Sequence, residues 1–310
     1  MDKAIKNKKV LILFAKIILL GLVVYLFYLQ LNKLDLVKLS SIELQHTTLL
    51  LTAISLVFAN WALEFMKWNA TLRFLGYKKS WNIKVRSFLA GILSGFLTPN
   101  LLGNFIGRIF YFDVNRRPAI IGITLVSNAA QFLASISFGI ISLIFIGFPE
   151  GFLIAEGIWI AILGIILLCI AFFYFKIKSL PKFFKRWEWA KSFQEGLGIG
   201  YWLRLKFLIL SATRHFVFSS QYVLLLIAFG LPFEIELFFL VWQTYFWSTL
   251  VPSLWLGKLI IRETIALWIF ASFTGELEIV LWCSILLWII NQGVTALVGL
   301  PFFKFSTNKS

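Results

Sequence analysis

Apolar residues run almost without a break from Val10 to Leu31, VLILFAKIILLGLVVYLFYLQL, and comparable runs recur at roughly residues 47–66, 87–112, 118–148, 158–175, 207–231, 237–273 and 279–303. A run of about 20 apolar residues is the length of a membrane-crossing helix, and a soluble core has no use for so many of them. Of the 310 residues, 60% are hydrophobic and only 14% charged, with 34 Phe and 13 Trp, a composition that belongs to an integral membrane protein.

Lys3, Lys6, Lys8 and Lys9 ahead of the first run give it the look of a signal peptide. At about 22 residues it is too long for the apolar part of one, and no small-x-small cleavage site follows, so a retained helix is expected. Cys169 and Cys283 both lie inside apolar runs, where packing is their expected role and no disulfide framework is available. His46 and His215 stand far apart in sequence with no metal-ligand spacing, so neither a metal nor a cofactor is expected. The net charge of +15 comes from lysines and arginines that flank apolar runs and form no continuous basic domain. An anionic membrane surface is the partner this suits, and nucleic acid is not.

The charged flanks give the runs a direction. The amino terminus, Lys67–Arg86, Arg116 with Arg117, and Lys176–Lys206 are basic, as cytoplasmic loops are. Asp35 with Glu43, Glu150 with Glu156, Glu234 with Glu236, and Glu276 with Glu278 mark the opposite side. The run 87–112 has basic flanks at both ends, so it enters from the cytoplasm and returns. Its length is short of the roughly 40 residues that two full spans require, which leaves a re-entrant hairpin. The run 237–273 has acidic flanks at both ends and dips in from outside, with two short full spans as the alternative.

The expected architecture is an all-α membrane protein of six full transmembrane helices plus two broken hairpins in an inverted-repeat arrangement. It forms a single polytopic domain over 1–310, with a first half over 10–175, a basic cytoplasmic linker over 176–206 and a second half over 207–303. Both termini are expected in the cytoplasm of a cell whose inner membrane holds the chain. The linker segment SLPKFFKRWEWAKSF, Ser179–Phe193, places Leu180, Phe184, Trp187 and Ala190 at helical spacing, as an interfacial helix would.

The two breaks carry the candidate chemistry. Backbone that leaves the helix at membrane depth is tolerated inside protein or beside a water-filled cavity. Pro99, with Gly103 and Gly107 after it, breaks the first segment near Thr98–Asn100, and the half-helix that follows offers free amides to an anion, with Asn104 and Arg108 behind them. Pro252, Ser253, Gly257, Lys258, Arg262 and Glu263 form a similar set in the second. An arginine or lysine at a helix centre costs about 2.5–3.5 kcal/mol on insertion scales, so a role or a partner is expected for each. Snorkelling to headgroups is the alternative for Arg108, and local ion pairing for Arg262 and Glu263. Arg214 and His215 are candidates to line the same cavity, snorkelling again being the alternative.

The stretches TPNLLGNFIGR, Thr98–Arg108, and PSLWLGKLIIRE, Pro252–Glu263, resemble two motifs of the transmembrane region of the lysylphosphatidylglycerol synthase family, integral membrane proteins described as flippase-like. Thr98, Pro99, Gly103, Arg108, Pro252, Gly257, Arg262 and Glu263 match. Asn100 replaces a glycine, Asn104 an acidic residue, and Lys258 and Ile260 two glycines. The resemblance extends over roughly residues 10–303 and implies lipid handling without fixing the lipid. In that family aminoacyl transfer belongs to a separate soluble domain; seven residues follow Phe303 here, so that activity is not expected.

The leading expectation is therefore a lipid translocase that holds a phosphate-bearing headgroup, most simply of an anionic phospholipid, between the two hairpins. A non-enzymatic membrane partner of a lipid-modifying enzyme is the alternative. An intramembrane transferase using Glu64, Asp113, His215 or Glu263 is a third reading, but nothing in the sequence sets a nucleophile beside a base. The sequence leaves the oligomeric state open.

Overall fold

The computed structural model describes residues 35–77, 79–97, 103–149, 156–177, 187–251 and 257–302, together with Tyr25, Tyr28 and Asn32. Among the described residues the chain is all-helical. Its helices are α1 (Leu36–Ser40), α2 (Thr47–Phe74), α3 (Trp81–Leu97), α4 (Gly103–Ile109), α5 (Arg117–Ile146), α6 (Glu156–Lys176), α7 (Glu188–Leu197), α8 (Tyr201–Ala228), α9 (Glu236–Leu250), α10 (Gly257–Phe270), α11 (Leu277–Trp288) and α12 (Val294–Gly299). A π-helical turn over Ile289–Gly293 joins α11 to α12.

Four of these helical stretches are long and apolar enough to cross a membrane: Thr47–Phe74, Val114–Ile146, Glu156–Lys176 and Leu277–Phe302. Almost all of the first apolar run, 10–31, lies outside the described residues. The run 207–231 falls in α8, a helix of 28 residues whose middle carries Arg214, His215, Ser219, Ser220 and Gln221, so that it is long without being uniformly apolar. The most exposed of these apolar helices is α6: Tyr174 is its one buried side chain, while Ile158, Ile165, Leu168, Phe172 and Phe173 are exposed. In water such a surface would be a liability, whereas acyl chains match it.

Helix ends follow from local chemistry. Asp35 caps α1 by accepting the Val37 N–H at 2.8 Å, and Pro118 sits in the first turn of α5, where its missing N–H costs nothing. Gly230, at φ 111°, turns the chain after α8, a conformation that side chains disfavour.

Within the run 87–112 the chain forms two helices that pack antiparallel. Gly107 lies so close to the Ala90 carbonyl, and Gly91 and Gly95 so close to Arg108 and Asn104, that a Cβ at any of the three would collide with its neighbour. Ser94 Oγ ties the pair together, donating to the Gly103 carbonyl and accepting the Gly107 N–H at 3.0 Å. In the run 237–273, α9 and α10 likewise pack on each other. Thr47 and Tyr201, Phe74 and Ala228, Gly103 and Gly257, and Arg108 and Arg262 are four pairs with the same separation in sequence. The packing follows the same correspondence: α5 lies along α9, and α12 lies along α3.

At the centre, α2 and α8 run antiparallel. Asn60 Nδ2 donates to Gln221 Oε1 at 2.5 Å, Gln221 Nε2 to the Ala53 carbonyl at 2.8 Å, and Lys67 Nζ to Ser211 Oγ at 3.3 Å. Two large apolar cores flank this seam. One contains Ala53 of α2 with Tyr222 and Leu226 of α8; the other contains Trp68 of α2 with Phe207 of α8. The buried polar residues Asn60, Glu64, Lys67, Ser211, His215 and Gln221 therefore fall between these core positions.

Part of the segment expected to be a linker is helical. Its residues 178–186 lie outside the described ones, but α7 packs on the start of α5, with Gly196 against the Ala119 carbonyl and Gly122 against that of Phe193. Arg116 holds Glu195 with both carboxylate oxygens at 2.8 Å. Trp187 and Trp189 stack at 5.8 Å on its exposed side.

Candidate functional site

Glu64 lies at a point where α2 meets α4 and α8. Its Oε1 accepts from Arg108 Nη2 at 3.3 Å, and its Oε2 faces Lys67 Nζ at 2.9 Å and Arg214 Nη1 at 3.3 Å. Lys67, one turn further along α2, is the expected i, i+3 neighbour. The other two cations come from opposite halves of the chain, Arg108 from the short half of a broken pair and Arg214 from the long helix α8. Gln131 of α5 adds an acceptor to Arg214 at 3.4 Å.

One carboxylate faces three cations, which leaves an excess of two positive charges in a place with little water. The side chains of Lys67 and Arg108 are 2% and 4% exposed, and that of Arg214 is 34% exposed. The Arg108 guanidinium lies 4.8 Å from the Trp68 ring and 5.9 Å from that of Phe88. Cation–π contact supplies about 0.5–2 kcal/mol, less than the several kcal/mol that removing a charge from water costs. The two arginine bonds to Glu64 are also single, and at 3.3 Å longer than the 2.7–2.9 Å or so of a tight charge-assisted pair, which the Lys67 contact at 2.9 Å matches. The Nε atoms of Arg108 and Arg214 are buried without a partner, as is that of Arg262, and Arg108 Nε packs on Gly91. The cluster has donor capacity that Glu64 does not use.

The second arginine is held differently. Arg262 Nη2 donates to Glu263 Oε1 at 2.5 Å and to the Ser284 carbonyl at 2.9 Å, so charge is balanced there. Arg262 and Glu263 thus form a neutral buried pair between α10 and α11, and Glu263 Oε2 has no partner. His215 belongs to neither ion pair: its Nδ1 is 3.3 Å from Ser135 Oγ, and its ring stacks on Phe138 at 4.8 Å and stands edge-on to Tyr245 at 5.7 Å.

Several expectations change shape here. Thr98, Pro99, Asn100, Pro252 and Ser253 lie outside the described residues, and Gly257 and Lys258 open α10. The half-helix after the first break, α4, has seven residues, and Ser94 of α3 accepts the Gly107 N–H within it. Asn104 does not reach the cluster; its amide packs over Gly95. Arg108 does not snorkel, since it turns inward to Glu64. An apolar groove of about 330 Å³ opens on α8 at Trp202, Leu205, Lys206, Ile209 and Leu210, none of which belongs to either charged group.

Lys67 is the residue that sequence reading misplaced. Hydropathy ends the span at Met66, which puts Lys67 in a basic loop, whereas α2 continues to Phe74 and buries it. The signal that identifies it is the Glu64–Lys67 spacing, which makes a pair only if the helix continues. Among the described residues no group of three or more His, Cys, Asp or Glu is placed to hold a metal. No family model matches this chain, and no curated protein matches it.

Proposed function

We propose that this chain is a lipid translocase of flippase-like type, similar to the transmembrane region of the lysylphosphatidylglycerol synthase family, and that it moves a lipid through its phosphate-bearing headgroup. The observation that carries this reading is the buried excess of cation around Glu64, at the junction of a broken helical pair with the long helices α2 and α8. A phosphate brought to Lys67, Arg108 and Arg214 replaces the water that the headgroup loses, which is the main barrier to its crossing.

The equal sequence separations and the matching packing of the two halves support an inverted repeat of six spans and two re-entrant hairpins. Rocking of such repeats about a site near the midplane exposes it to each side in turn. In this reading the balanced Arg262–Glu263 pair stabilises the second hairpin, and the unbalanced cluster in the first takes the headgroup. Both termini in this reading lie on the cytoplasmic side of the inner membrane, as the basic flanks favour.

The test is dithionite quenching in proteoliposomes holding phosphatidylglycerol or phosphatidate labelled on the acyl chain. Inner-leaflet label should become accessible faster than in empty vesicles, and Arg108→Gln should slow it. Label loss no faster than in empty vesicles overturns the translocase, and co-purification of a lipid-modifying enzyme would then support a holding role.

A further inference from the structure

We infer that the Glu64 cluster is built for a doubly charged phosphate, that is, a phosphomonoester headgroup in preference to a phosphodiester. This deepens the translocase reading by naming its headgroup, and rests on that reading for the transport step alone.

The inference comes from charge and donor counts. With Glu64 in place, Lys67, Arg108 and Arg214 leave two positive charges unmatched. A phosphodiester carries one negative charge and would leave the site cationic. A phosphomonoester carries about −1.5 to −2 at neutral pH, with three strong acceptor oxygens, and brings the sum near zero. Its extra acceptor capacity has a taker at the more exposed edge, where Arg214 Nε is buried and unpartnered, while Arg108 Nε packs on Gly91. Arginine forks suit such a group geometrically, since two N–H donors of one plane can hold two phosphate oxygens.

Access and selectivity follow from burial. Arg214 is the exposed edge, at 34%, and Arg108 the closed end, fixed against Trp68. An incoming phosphate meets Arg214 first and reaches Arg108 and Lys67 behind it. A headgroup with an added ammonium gains nothing, because the single carboxylate within the cluster is already shared by three cations. The same chemistry fits a lipid phosphomonoester and free inorganic phosphate.

Native mass spectrometry of the detergent-solubilised full chain tests this with phosphatidate and phosphatidylglycerol of the same acyl chains. Phosphatidate should bind tighter by about tenfold or more, the scale of one added charge in a partly buried site. Arg214→Gln, a change at the exposed edge, should remove most of that preference, while Lys206→Gln, on the same helix outside the cluster, should retain it. Equal affinity of the wild-type chain for the two lipids overturns the inference without any variant, as does a preference that survives Arg214→Gln. Inorganic phosphate at millimolar concentration is the competitor: displacement assigns the free ion as a ligand, persistence assigns the lipid, and either supports a doubly charged site. Phosphatidate preference without translocation overturns transport alone, and translocation without preference overturns this inference alone.

Discussion

Glu64 of α2 and Arg108 of α4 meet at 3.3 Å, and this contact ties the short half of a broken helical pair to the long helices beside it. Because the same carboxylate also faces Lys67 and Arg214, its removal and the removal of a cation have unequal consequences. Glu64→Gln leaves three cations facing one another in a buried place and should destabilise the fold by about 3–5 kcal/mol. Arg214→Gln removes a surplus charge at the exposed edge and should change stability by about 1 kcal/mol or less. Thermal unfolding of both variants in one detergent measures the order; a smaller loss for Glu64→Gln than for Arg214→Gln would refute the charge count.

The α3–α4 pair depends on close backbone approach. Gly107→Ala places a methyl group on the Ala90 carbonyl, so the helices must separate, at a cost of about 1–3 kcal/mol. Gly164→Ala, in α6 with open space around it, is the control and should gain up to about 1 kcal/mol of helix propensity. Melting temperatures that move in the same direction for both would contradict the packing described.

The composition made the membrane class and several helix limits readable. Runs expected at 118–148 and 158–175 are helices at Arg117–Ile146 and Glu156–Lys176, because sustained apolar sequence leaves few other options. The polar centre was less readable. Glu64, Lys67, Arg108 and Arg214 come from three separate helices, and no local period announces that they converge. Hydropathy actively misleads at Lys67, since a charge reads as the end of a span when its partner one turn back is ignored. The opposite fates of Arg108 and Arg262, one in a cationic cluster and one in a balanced pair, depend on a carboxylate beside the second and 44 residues before the first. Only the former is a local fact of the sequence.

The Asn60–Gln221 bond joins α2 to α8 at the seam between the two apolar cores. Interhelical side-chain bonds in membranes contribute about 0.6 kcal/mol on average and up to about 1.7 kcal/mol. A double-mutant cycle with Asn60→Ala and Gln221→Ala should give a coupling in that range. Strict additivity would mean that the short contact contributes nothing to pairing of the helices.

The hairpin reading of the run 87–112 makes a prediction about sides. If α3 and α4 enter and return, the segments before and after them share one face of the membrane, whereas a single crossing separates them. In a chain with Cys169 and Cys283 replaced by serine, Ser80→Cys samples the exposed turn before α3, and Asn115→Cys the exposed turn before α5. Ser40→Cys, on the far side of α2, samples the opposite face. A membrane-impermeant maleimide applied to right-side-out vesicles should label Ser40→Cys at once, and Ser80→Cys and Asn115→Cys only after permeabilisation. Labelling of Ser80→Cys and Asn115→Cys from opposite sides would mean that the pair crosses once. It would also place Arg116 and Arg117 outside against the charge bias, and the inverted-repeat mechanism would lose its first hairpin.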